Sequence, residues 1–117
     1  MQIIRIEHKT GTGIFRTPNF SAFCLGLEAL VERHGNDFPT PYAERNRWME
    51  EHEFCAFKTI DQIRRWITDD EMSVLLANNY KVWLLEVSEC EVYEYQCIYC
   101  KENITQQKDI SGLFKKS

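Results

Sequence analysis

The chain has 117 residues, of which 44% are hydrophobic, 13% aromatic and 27% charged, with a formal net charge of -4 at pH 7. That length and apolar content suit a single core, so one domain over residues 1–117 is expected, and no apolar run approaches the length that spans a bilayer. An acidic balance without a dense basic run argues against direct nucleic-acid binding, and an N-terminus without a signal-peptide pattern sets a cytoplasmic expectation, in the host cytoplasm if the chain is viral.

Gln2–His8, QIIRIEH, reads as a strand with Ile4, Ile6 and His8 on one face and Ile3, Arg5 and Glu7 on the other. Arg5 is the unusual member, since a charge in an apolar strand requires a partner such as Glu7, water, or a polar site. Residues 9–13, KTGTG, then break the strand, and Gly11 and Gly13 permit positive backbone dihedrals and close approach of a ligand. Their spacing fits neither the dinucleotide fingerprint nor the nucleoside-triphosphate loop. Phe20, Phe23, Cys24, Leu27, Leu30, Val31 and His34 recur at helical spacing, which predicts one amphipathic helix over residues 20–34, ended by Gly35. Residues 36–41, NDFPTP, form a loop by composition, and residues 42–51 a short polar helix carrying Trp48.

Residues 53–87 are the centre of the chain. A short strand leads to Thr59, three residues before Gln62, and Thr68 stands three before Glu71, so two capping boxes start two helices. Ile60, Ile63, Trp66 and Ile67 mark the buried face of the first, and Met72, Leu75 and Leu76 that of the second. Asn78-Asn79 supplies the left-handed residue that ends a helix, and Val82, Trp83, Leu84, Leu85 and Val87 read as a strand buried on both faces. Residues 91–100, EVYEYQCIYC, have strand-like aromatic content; period two places Tyr93, Tyr95, Cys97 and Tyr99 together and sets Glu94 beside Gln96 on the opposite face. From Lys101 the chain is a polar tail in which only Ile110, Leu113 and Phe114 suggest docking.

Five cysteines in a chain without an export pattern read as free thiols. Cys97 and Cys100 have the spacing of half a zinc knuckle without a second pair, so no metal site is assigned, although a zinc-stabilised interaction domain is an alternative. The elements add up to an α+β domain, a mixed, mostly antiparallel sheet with three to four helices packed on it.

Arg5, Glu7, His8 and Lys9 before Gly11 and Gly13, Pro39 and Pro41, residues 55–67 and Trp83 to Val87 together resemble a family of small phage-encoded proteins, a resemblance that names no activity. The order of elements is also similar to the smallest ADP-ribosyltransferase folds. That likeness implies NAD as cofactor, with Arg5 or His8 against its phosphates or ribose, Phe57 or Tyr42 beside nicotinamide, the Gly11 and Gly13 turn nearby, and Glu94 with Gln96 at the ribose hydroxyl. In the family's late strand the Glu or Gln precedes the catalytic Glu by two residues, whereas Glu94-Tyr95-Gln96 has the reverse order, and of the Ser-Thr-Ser motif only Lys58-Thr59 stands here. Two functional expectations follow: a phage-type accessory protein that binds and inhibits or modulates a host or defence protein, or an NAD-dependent transferase acting on a host target.

Overall fold

The computed structural model describes residues 1–15, 17–33 and 52–114. The expected end of the first helix at His34 and Gly35, the 36–41 loop, and the 42–51 helix with Tyr42 and Trp48 lie outside them.

Among the described residues the strands are β1 Gln2–His8, β2 Glu53–Ala56, β3 Tyr80–Val87, β4 Glu91–Val92, β5 Cys97–Cys100 and β6 Ile104–Asp109; the helices are α1 Glu28–Arg33, α2 Ile60–Trp66 and α3 Asp69–Ala77. They form two three-stranded sheets, β1-β3-β6 and β2-β5-β4, in which every pairing is antiparallel. Ile4 and Phe57 exchange backbone hydrogen bonds of 2.7 Å in both directions, and this bridge stitches the end of β2 to β1. The domain is α+β, as the sequence pattern implies.

The two faces of β1 explain the layering. Ile4, Ile6 and His8 face the helices, where Ile63, Trp66, Met72, Leu75, Tyr80 and Val82 complete a first core. Ile3 points the other way, into a second core with Ala56, Leu85, Val87, Cys97 and Tyr99 beneath the smaller sheet. β3 serves both cores through the same alternation, Val82 on one side and Leu85 and Val87 on the other, which is why its sequence is almost unbroken apolar.

Both capping boxes form. Thr59 Oγ1 accepts from the Gln62 amide at 3.2 Å, while Gln62 Oε1 accepts from the Lys58 and Thr59 amides. Thr68 and Glu71 reciprocate at 3.2 and 2.8 Å. Glu71 also takes the Arg33 guanidinium, whose Nε donates to the Trp66 carbonyl at 2.9 Å, so one arginine ties α1 to the junction between α2 and α3. Asn79, at φ 68, is the left-handed residue after α3.

Three expectations are corrected. The long helix over residues 20–34 is interrupted: Gly26, at φ 75, closes a Schellman motif in which the Leu27 amide bonds to the Ala22 carbonyl at 3.0 Å and the Gly26 amide to Phe23 at 3.2 Å. Of the described residues in that span Glu28–Arg33 is α-helical, and Phe20, Phe23 and Cys24, expected on the buried face, are exposed while Ala22 and Leu30 are buried. The strand expected over residues 91–100 is a hairpin, with β4 turning at residues 93–96 into β5 and the Tyr93 amide bonded to the Gln96 carbonyl at 2.9 Å. Glu94 and Gln96 therefore do not share a strand face. Finally, the polar tail contains a strand: β6 pairs with β3 through its backbone while its side chains from Thr105 onward are exposed, and Phe114 docks but Leu113 stays exposed.

Candidate functional site

The face of β1 that carries Ile3, Arg5 and Glu7 runs out from under the smaller sheet. Beyond that sheet's edge the surface opens into a groove of about 350 Å³, lined by Arg5, Glu7, His8 and Lys9 from β1 and its turn, Lys81, Trp83 and Leu85 from β3, Tyr99 and Lys101 from the end of β5, and Ile104 and Gln107 from β6. Register fixes part of this lining, since Arg5 lies opposite Trp83 and Glu7 opposite Lys81.

Arg5 is buried yet satisfied. Its Nε donates to Glu7 Oε2 at 3.3 Å and its Nη1 to the Cys55 carbonyl at 2.6 Å, with the guanidinium 5.6 Å from the Phe54 ring centre. Gly13 covers it from the turn: a Cβ there would lie 3.3 Å from Nη2 and 3.5 Å from Nη1. The close approach that Gly13 permits is thus taken up by the protein's own arginine. Gly11 serves the turn by its φ of 88, next to Lys101 Nζ. Lys101 completes the cluster, 3.6 Å from Glu7 Oε2 and 4.6 Å above Phe54.

His8 borders one end of the groove, with its ring on the helix-facing side of β1, opposite Arg5 and Glu7. Its ring is buried, stacked on Phe20 at 5.5 Å and edge-on to Tyr80 at 5.0 Å. Nδ1 lies 3.0 Å from Thr10 Oγ1 and 3.3 Å from the Thr10 amide nitrogen, while Nε2 has no hydrogen-bond partner among the described residues. A hydroxyl chain runs onward from Thr10 through Thr12 and Thr17 to Tyr80, whose hydroxyl donates to the Phe20 carbonyl at 2.8 Å. Burial raises the Tyr80 phenol, and the Thr17 bond opposes that rise.

Tyr99 forms the floor. Its side chain is buried in the second core and its hydroxyl has no partner among the described residues, although the charges of Arg5 and Glu7 act on it. Burial pushes this phenol well above its usual range, with Arg5 opposing and Glu7 adding to the rise.

Of the residues singled out from sequence, the structure brings Arg5 and His8 to the groove. Glu94 sits exposed in the β4–β5 turn, where its carbonyl accepts from Gln62 Nε2 at 2.8 Å, and Gln96 is buried at the other end of that turn. Phe57 packs edge-on against Trp66 at 5.5 Å on the helix side, beside the first core, and Tyr42 lies outside the described residues. Cys97 and Cys100, three apart on one strand, point to opposite faces: Cys97 is buried beside Cys90, with its thiol pushed up to about 12 by burial and then by Cys90 and Cys55, while Cys100 is half-buried among glutamates. Among the described residues no group of three or more His, Cys, Asp or Glu side chains is arranged to hold a metal ion. Sequence reasoning missed Lys81, Trp83, Tyr99 and Lys101 as groove residues, because only the pairing of strands distant in the chain brings them together.

Fold and groove together define a small α+β protein with an open, cation-rimmed recess. Residues 1–112 match the family model described as Bacteriophage T4 Y00F protein, and the chain belongs to that family of phage proteins. No curated protein and no solved structure matches the chain. Among the described residues no helix is long and apolar enough to cross a membrane.

Proposed function

We propose that this phage protein is an accessory factor that works by binding: it docks on an acidic surface of a host or defence protein and inhibits or modulates it. The observation that supports this reading is the lining of the groove, which among the described residues has four cationic side chains and one carboxylate, Glu7, already engaged by Arg5 and Lys101. A carboxylate held between two cations is a poor general base, whereas exposed lysines around a recess suit steering and recognition of an opposite charge. A long polyanion such as nucleic acid suits the molecule less, since its net charge of -4 opposes approach at a distance.

The test is affinity purification of the tagged chain from host cells, followed by reconstitution with the purified partner. A stoichiometric complex that dissociates as salt rises supports the reading; recovery of no stable partner removes its support. The alternative, an NAD-dependent transferase, draws on Arg5 and His8 both bordering the groove, but their side chains lie on opposite faces of β1 and Glu94 is absent from the lining. Calorimetry with NAD and an assay for nicotinamide release test it directly.

A further inference from the structure

We infer that the groove is a receptor for a phosphate monoester carried on an aromatic or apolar remainder. It deepens the binding reading above, on which it rests only for the question of which molecule carries the phosphate.

The inference starts from charge. Lys9 has no side-chain partner among the described residues, and Lys81 meets Asp109 only at 3.7 Å. Lys101 shares the carboxylate of Glu7 with Arg5, and one carboxylate can neutralise only one of them. A ligand bearing a single charge leaves this surplus largely in place. A phosphate monoester brings about 1.5 to 2 negative charges at pH 7 and three strong acceptor oxygens. Those oxygens match the donor type that the groove offers, ammonium groups on three flexible stems around its mouth.

The second observation is independent of charge. The Tyr99 hydroxyl, on a side chain 2% exposed, is a buried donor without an acceptor among the described residues, and Tyr99 lines the groove together with Arg5 and Glu7. A buried donor left unpaired is unfavourable, and an incoming oxyanion oxygen relieves it. The groove's size and walls then describe the rest of the ligand. At about 350 Å³ it falls within the range of small-molecule sites and far exceeds one phosphate group, and Trp83 and Leu85 offer an apolar wall for what the phosphate is attached to.

Two sources supply such a group, a free phosphate ester or a phosphorylated side chain on the partner protein, and one titration separates them. The full chain, labelled with nitrogen-15, is titrated with phenyl phosphate, with benzoate, and with a tyrosine phosphopeptide and its unphosphorylated form, following amide shifts. Saturable shifts at Lys9, Lys81 and Lys101 are expected with phenyl phosphate, about ten-fold tighter than with benzoate. Lys101→Glu should weaken binding by about ten-fold or more, and Tyr99→Phe by several-fold, with the remaining spectrum unchanged. Equal affinity for phenyl phosphate and phosphopeptide assigns the site to a free ester; a phosphopeptide tighter by about ten-fold assigns it to a modified partner. Benzoate or the unphosphorylated peptide binding as well as its phosphorylated counterpart, no saturation up to about 10 mM, or indifference to Lys101→Glu overturns the inference. Because these probes need no host protein, that failure leaves the outcome of partner capture untouched.

Discussion

Tyr99→Phe is expected to make the free protein more stable. The Tyr99 side chain lies in the second core with Ile3, Leu85 and Val87, and its ring contacts Phe54 with centroids 6.0 Å apart, interactions that phenylalanine keeps. What the substitution removes is a buried hydroxyl without a partner among the described residues. Leaving such a group unpaired costs about 1–3 kcal/mol, so replacing it with hydrogen should raise stability by about 1–2 kcal/mol. For a domain of this size that is a rise in Tm of about 3–8 °C. Urea denaturation monitored by circular dichroism, with a thermal scan beside it, measures both. An unchanged m-value with a higher midpoint is the expected signature. A loss of stability of about 1 kcal/mol or more would refute the reasoning, because it would mean that the hydroxyl is bonded in the native protein.

The companion substitution Tyr80→Phe should act in the opposite direction, costing about 1–2 kcal/mol by urea denaturation, since it strips bonds from the buried Thr17 hydroxyl and from the Phe20 carbonyl. Gly13→Ala places a methyl 3.3 Å from Arg5 Nη2 and should cost about 1–2 kcal/mol, a cost that shrinks in an Arg5→Met background if the crowding is its cause; a double-mutant cycle measures the coupling. Alkaline pH should destabilise the fold through Cys97, whose thiol is raised from 9.0 to about 12. The native state holds this proton while the unfolded chain releases it, so the contribution is complete below pH 9.0 and disappears as pH rises toward about 12. Denaturation midpoints across that window check the sign, and Cys97→Ala should flatten this limb.

The fold was most legible where local chemistry and burial agree. Thr59 with Gln62 and Thr68 with Glu71 announce their helices because a capping box is satisfied within four residues, and β3 announces itself because both of its faces are buried. β6 is illegible for the converse reason: beyond Ile104 the side chains of this edge strand meet water, and its backbone pairing with β3 leaves no hydrophobic pattern. The β4–β5 turn carries no Gly, Pro or Asn across residues 93–96, so it read as continuous strand. Gly26 is the sequence signal that the first helix breaks, and it stands inside an apolar stripe that runs on at helical spacing from Phe20 to Val31. At the site, Arg5 stood out as a charge in an apolar strand, and its pairing with Glu7 was foreseeable. Tyr99 and Lys101 were not, since their place above Arg5 follows from β5 joining β2 and β2 joining β1 through Phe57.

The most direct test of the claim that this protein acts by binding through the groove is amide hydrogen exchange on the complex with the host protein that it retains. Slowed exchange at Lys9, Lys81, Lys101 and Gln107 is the expected footprint. Protection confined to the exposed Phe20 and Phe23 segment, or to the turn at residues 93–96, with the groove exchanging as in the free chain, would contradict it.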